Sequence, residues 1–466
     1  MTPKNLQILQ SPSPKGACWA ILCLLTLGLG CHSAAPPDAT RKAPVDPRGP
    51  NEGPVSEKLE ATDPAGAEAS TGDGNIYRLV GGWWWDGTSF ERKSFYAVHG
   101  RLTESRPDRV DKVLEFGDRF IVPPFAEAHN HNLESAYGFD RVHSRYLEQG
   151  IFYVKVANNI GEMTHEIRDR LADPKKVDVS FANGGITSSG GHPSGLYEKV
   201  ILPRAFPHHG VDWLRGRAFY EVDSLEDLDD IWPRLVQGRP DFVKTFLLYA
   251  EEYAERRDDP KYQGVRGLDP ELLPVIVERA RKSGLRVAAH VETASDFRFA
   301  IRSGVQEIMH LPGYRIPESR RFDEFRLSEQ DAREAAAAGA LVATTTVLAN
   351  QSLRDLDRWR KVREMQAHNL SVLHRNGVPL AVGSDRYDLT SLDEIMNLRA
   401  LEIFDETTLL NLWCGTGALI FPKRKLGRLE EGYEASFLAL DENPLVDFTA
   451  VRRISFRFKE GHVVTP

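Results

Sequence analysis

A chain of 466 residues is long enough to bury one large core and carry a smaller appended unit. Its 59 basic and 67 acidic side chains leave a net charge of −8, with no basic stripe, which excludes a nucleic-acid footprint. Four cysteines, two of them inside an apolar leader, exclude a disulfide framework.

Lys4 and Lys15 precede a run that is apolar from Ala17 to Gly30 and short for a membrane span, so residues 1–31 read as a signal peptide. The run ends in GLGC and is similar to the lipobox at which bacterial lipoproteins are cleaved and acylated, here on Cys31. Gly28 departs from that pattern, which prefers Leu there, and ordinary cleavage in the Ser33 to Ala35 region is the alternative. The expected location is outside the cytoplasm, either periplasmic or as a membrane-anchored lipoprotein. Residues 32–75 are rich in Pro, Ala, Gly and acidic residues with almost no aromatic, and are expected to form a disordered linker.

From Ile76 onward, YRLVGG, WWWDG and SFYAVHGRL are strand-like pieces separated by Gly, Asp and charged turns. The same texture returns in GRLEEGYEASFLALDENPL and VRRISFRFKEGHVV. A small β-sandwich-like domain built from both chain ends, residues 76–119 and 425–466, is therefore expected. Between them lie eight apolar runs: RFIVPPF, IFYVKVA, VDVSFAN, FVKTFLL, RVAAHV, EIMHL, ALVATTTVL and PLAVGSD. They alternate with stretches of helical spacing such as SLEDLDDIWPRLVQG, DPELLPVIVERARKSG and SEQDAREAAAAGA. The expected class is α/β, with residues 120–424 forming a (β/α)8 TIM barrel; a doubly wound open sheet is the rival.

Chemistry concentrates at the ends of these runs. His129 and His131, in AEAHNHN, stand two apart, so an extended backbone turns both imidazoles to one side. His290, His310 and Asp385 close the fifth, sixth and eighth runs. Strand tips at one face are where TIM-barrel active sites form, and imidazole with carboxylate suits zinc-like ions.

These residues resemble the pattern of the amidohydrolase superfamily: His-x-His at strand one, Lys or Glu on strand four, single His on strands five and six, and Asp on strand eight. The resemblance extends over most of residues 76–464, and Ser436 stands where the family commonly places an Asp remote from the metals. It implies that Lys244, in DFVKTFLLY, is a carbamylated ligand bridging two divalent ions, zinc above all, with manganese or iron as alternatives. A snorkelling lysine is the plain reading of Lys244, and Lys155 in FYVKVAN has the same local look but is read as structural.

The implied centre holds one ion by His129 and His131 and a second by His290 and His310, with Asp385 ligating the first. A metal-bridging hydroxide would attack the substrate, and Asp385 would pass its proton to the leaving nitrogen. His192, in SSGGHPSG, looks like the Gly-Gly-His element of dipeptidase- and imidazolonepropionase-like members, where the His faces the substrate or its oxyanion. Tyr249 is a candidate donor to a substrate carboxylate or carbonyl. EEYAERRDDPKYQG, residues 251–264, reads as a lid or as a solvated loop; Trp83 to Trp85 read as packing and His208 and His209 as surface.

The expected activity is hydrolysis of amide-like C–N bonds in a dipeptide, N-acyl amino acid or cyclic amide. The alternatives are a lactonase- or phosphotriesterase-like hydrolase and a non-catalytic surface-binding lipoprotein on the same scaffold. The expected partner is a small-molecule substrate, with no nucleic acid and a membrane only through the N-terminal anchor. The sequence leaves oligomer formation open.

Overall fold

The computed structural model describes residues 73–352 and 354–466. The expected signal peptide, Cys31 and the expected linker as far as residue 72 lie outside the described residues. Among the described residues no helix is long and apolar enough to cross a membrane.

Strands β1 to β5 (Tyr77–Trp85, Phe90–Arg92, Phe95–Val98, Arg101–Thr103 and Lys112–Val122) come from the first stretch of the described chain. The parallel runs follow as β6 (Phe125–Asn130), β7 (Ile151–Val156), β8 (Asp178–Phe181), β9 (Gly185–Thr187), β10 (Phe219–Glu221) and β11 (Val243–Phe246). They continue as β12 (Val287–His290), β13 (Glu307–Ile308), β14 (Leu341–Ala343) and β15 (Leu380–Ala381). The C-terminal strands are β16 (Phe437–Leu440), β17 (Ile454–Lys459) and β18 (His462–Val463).

Both chain ends enter one eight-stranded sheet, ordered β18-β17-β16-β5-β1-β3-β4 with β2 on β1. β5 is the seam: it runs parallel to β1 and antiparallel to β16. The tryptophan run packs here, with Trp84 buried against Phe95 and Phe437 and Trp83 stacked on Phe120. The first stretch of this sheet ends at Val122, because Pro123 and Pro124 cannot continue the ladder.

The central strands pair in parallel in two sheets, β10-β9-β11-β12-β13-β14-β15 and β6-β7-β8. The first apolar run was therefore placed too early. Its RFIV half belongs to β5, and the strand that carries the histidines begins only at Phe125, so His129 lies inside β6 rather than after it. Main-chain bonds tie β6 to the segment after β15: Ala128 N donates to Val382 O at 2.8 Å and Asp385 N donates to His129 O at 2.7 Å. Gly383 permits this approach, since a Cβ there would sit 2.7 Å from His129 N.

Helices start where the capping residues stand. Ser224, Thr293 and Ser328 each accept a backbone N–H from the third residue beyond, opening Leu225–Gln237, Ala294–Arg302 and Glu329–Ala337. Asp296 does more than close its own capping box. Its carboxylate also accepts from Tyr249 N at 3.0 Å, Ala250 N at 2.7 Å and Glu292 N at 2.9 Å, so it fixes the turns that follow β11 and β12.

Candidate metal centre

His129, His131 and Asp385 present ligand atoms that all lie within 4.8 Å of one another. Asp385 Oδ1 lies 3.3 Å from His129 Nε2 and 3.2 Å from His131 Nε2, and Oδ2 lies 3.8 Å from His310 Nε2. β6 carries His129 and ends at Asn130, just before His131, and it hands Asp385 its position through the His129 carbonyl. Asp385 takes a left-handed φ of 50°, as do Tyr249 at 55° and Thr345 at 47°. Such backbones cost about 1–3 kcal/mol each and persist where surrounding contacts hold them.

The other imidazoles adjoin this group. The His310 ring centroid is 4.6 Å from that of His129 and 4.5 Å from that of His290, and His192 stands 5.0 Å from His290. Each ring is oriented by a neighbour. His129 Nδ1–H donates to Met309 O at 2.7 Å, His131 Nδ1–H to Glu134 Oε1 at 2.6 Å, and His310 Nδ1 meets Thr345 Oγ1 at 2.9 Å. His290 is turned the other way, with Nε2–H donating to Glu292 Oε1 at 3.2 Å.

Lys244 lies on β11 in register with Gly185 and Ala288, fully buried. A Cβ on Gly185 would meet Phe246 at 2.4 Å and Lys244 Cγ at 3.0 Å, so only glycine fits beside this lysine. Burial pulls the Lys244 pKa down to about 7, against the attraction of Asp385. Lys155, on β7, is different: it makes a buried ion pair with Glu307 on β13, which also pairs with Arg286 at 3.2 Å. No ion pair of Lys244 occurs among the described residues.

Electrostatics divide the histidines. Burial pushes His129 down to about 3, in spite of Asp385, and lowers His290 and His310 as well. Burial also acts against a charged His131, but its hydrogen bonds to Asp385 and Glu134 outweigh it and raise the pKa to about 10. Asp385 sits well below the usual carboxylate range: burial opposes this, and His129, His131 and Lys244 overcome it. Burial, with the charges of His290 and Arg315 adding to it, keeps the His192 imidazole neutral.

His192 and Glu292 line a cavity of about 610 Å³. Its walls also hold Tyr249, Arg315, Arg320 and Arg358. Two guanidiniums lie over the Tyr249 ring, that of Arg256 at 3.9 Å and that of Arg320 at 4.4 Å from its centroid. Arg256 and Tyr262, from the charged 251–264 stretch, face this cavity, while His208 and His209 are exposed elsewhere.

Glu134, Glu292, Tyr314, Thr345 and the Met309 carbonyl were not singled out from the sequence. The first two carried a signal that could have been followed, a glutamate three or two residues beyond a candidate histidine, in HNLE and HVE. The others are known only once strands are side by side.

No family model matches the chain. The ochratoxinase of Aspergillus niger is 28% identical over 209 residues, which make up 41% of this chain and 39% of that protein. The match thus spans well under half the length of that relative. Solved structures agree over a longer stretch. A. niger ochratoxinase gives a TM-score of 0.63 at 18% identity, covering 84% of this chain and 95% of that one. A prolidase in complex with N-methylphosphonate-L-proline gives 0.62 at 19% identity, covering 84% and 99%. Molinate hydrolase gives 0.65 at 16% identity, covering 84% and 95%. Over most of its described length, the chain has the fold of amidohydrolase-family proteins.

Proposed function

We propose that the protein is a metal-dependent hydrolase of amide C–N bonds in an N-acyl amino acid or dipeptide. The observation that carries this reading is the convergence of His129, His131, His310 and Asp385 within contact distance, with His290 and buried Lys244 beside them. The donor set suits two zinc-like ions. The Nδ1–H groups of His129 and His131 are spent on acceptors, which leaves the two Nε2 atoms, turned to the Asp385 carboxylate, as the nitrogens an ion would take. His129, His131 and Asp385 would hold one ion, His290 and His310 the other, and Lys244, as a carbamate, would reach both. Ions bound there supply Lewis acidity and an acidified water.

The protein's own groups do the rest. Asp385 takes a proton from the attacking water and returns it to the leaving nitrogen. His192 and Tyr249 donate hydrogen bonds to the acyl oxygen or to a substrate carboxylate. The arginines of the adjoining cavity favour a carboxylate-bearing substrate, because a guanidinium matches a carboxylate in both charge and geometry. Its volume accommodates an acyl group larger than a small amino-acid side chain.

The architecture supports the same reading. The main-chain bonds between β6 and the segment after β15, and the short break between β8 and β9, favour a reading of the two parallel sheets as parts of one (β/α)8 barrel. The sheet built from residues 77–122 and 437–463 is then its companion domain, with export through residues 1–31 and a Cys31 lipid anchor. A hydrolysis screen of dipeptides, N-acyl amino acids, their carboxamide analogues and lactones, on zinc- or manganese-loaded protein, tests this. Turnover of carboxylate-bearing amides that stops on chelation and returns with metal is expected. Turnover of lactones alone, or of nothing, overturns it.

A further inference from the structure

The four histidines of the centre do not all spend the same nitrogen on a supporting acceptor. His131 has its Nδ1–H on Glu134, 2.6 Å away, and shares that hydrogen with the Asn158 carbonyl at 3.1 Å. Its Nε2, which points to Asp385, is thereby the nitrogen that would be open to an ion. His290 is reversed: Nε2–H donates to Glu292, and Nδ1 keeps the lone pair. Both glutamates are held in place. Glu134 is largely buried and also meets Tyr387 Oη at 3.5 Å. Glu292 is 1% exposed; its Oε1 further accepts from Tyr314 Oη and Arg315 Nη2, both at 2.8 Å, while its backbone N–H is tied to Asp296. Tyr314 in turn stacks on the His310 ring at 4.3 Å.

An imidazole ligates a metal only through its unprotonated nitrogen, and the hydrogen bond made by the other nitrogen decides which one that is. A carboxylate at that second nitrogen fixes the ring and makes it a stronger donor. Three carboxylates, Asp385, Glu134 and Glu292, gathered at one largely buried site are costly unless positive charge compensates them. Arg315 pairs with Glu292 at 2.8 Å, Lys244 acts on Asp385, and Glu134 has only His131. Divalent ions would supply the rest.

We propose that Glu134 and Glu292 are positioning residues that lock opposite tautomers of His131 and His290, one glutamate for each ion of the centre. The proposal rests on the metal-centre reading but not on the substrate. It places one supporting carboxylate in the turn after β6 and the other just beyond β12, so that loss of either weakens one ion and spares the other.

The test is zinc titration of the full-length protein against a chromophoric chelator, for wild type and for Glu134→Gln, Glu134→Leu, Glu292→Gln and Glu292→Leu. The melting temperature of each metal-free protein monitors folding. Each Leu variant is expected to lose about 10–100-fold in affinity for one ion. Each Gln variant, whose Oε1 still accepts the imidazole N–H, is expected to recover most of that loss. The d–d spectrum of cobalt-loaded protein is expected to change in the Leu variants and to stay near wild type in the Gln variants. Wild-type affinity at both ions in the Leu variants, or equal losses in the Gln and Leu variants, overturns the proposal. Two tightly held ions in wild type without hydrolysis of any amide overturns the proposed activity alone. A wild type that takes up no zinc overturns both.

Discussion

In the proposed reaction Asp385 is the residue on which the chemistry turns. It touches three imidazoles, and its left-handed backbone is held by the bond from its own N–H to the His129 carbonyl. Asp385→Asn keeps the shape and an oxygen ligand but cannot carry the proton. We expect kcat for the amide substrate to fall by about 10²–10⁴-fold while zinc content by elemental analysis stays close to wild type; a variant with most of its activity would remove Asp385 from this role. Lys244 and Lys155 look alike in sequence, FVKTF against YVKVA, and only the structure separates them. Glu307 claims Lys155, whereas Lys244 faces the histidines. Nothing local in the sequence could show this, because Glu307 is 152 residues away along the chain from Lys155.

At the scale of elements, two small features hold the site. Asp296 accepts four buried backbone N–H groups from the turns that carry Tyr249 and Glu292. Asp296→Ala strands those donors, so unfolding in urea should show a loss of at least about 3 kcal/mol, against little change if the turns hold themselves. Gly185→Ala pushes a Cβ into Phe246 and Lys244. Overpacking of this kind costs about 1–3 kcal/mol, and we expect it to lower metal affinity along with stability, read by chelator competition and thermal melting. The helix Phe139–Glu148 adds a pH dependence through His143. Burial, then the Lys176 ammonium, lowers its pKa to about 4 from 6.5. A depressed native pKa means that this stability is present above 6.5 and is lost as pH falls towards 4. His143→Gln should flatten that part of the melting-temperature profile; an unchanged profile would assign the acid sensitivity elsewhere. Elements were legible where period and caps agreed, as in the helices opened by Ser224 and Ser328. The first strand was misplaced because RFIV and PPF read as one apolar run, although two prolines divide them between two sheets.

The whole molecule couples its ends to its centre. The sheet of β1 to β5 with β16 to β18 joins residues more than 300 positions apart, and its aromatic face of Trp84, Phe116, Phe437 and Phe458 is one buried cluster. The grouping of His129, His131, His290, His310 and Asp385 was legible because the first two stand two apart at one strand and the others close apolar runs, whose ends lie together when strands pair side by side. The arginine-lined cavity was not, because loops from different strands build it and no spacing records their meeting. The central claim, that six side chains gathered from these strands hold two ions, can be tested most directly by anomalous diffraction at the zinc edge from crystals of zinc-loaded protein. The account predicts two peaks, one among His129, His131 and Asp385, the other beside His290 and His310, with density for a carbamate on Lys244 between them. No peak there, or zinc held by other residues, would contradict it.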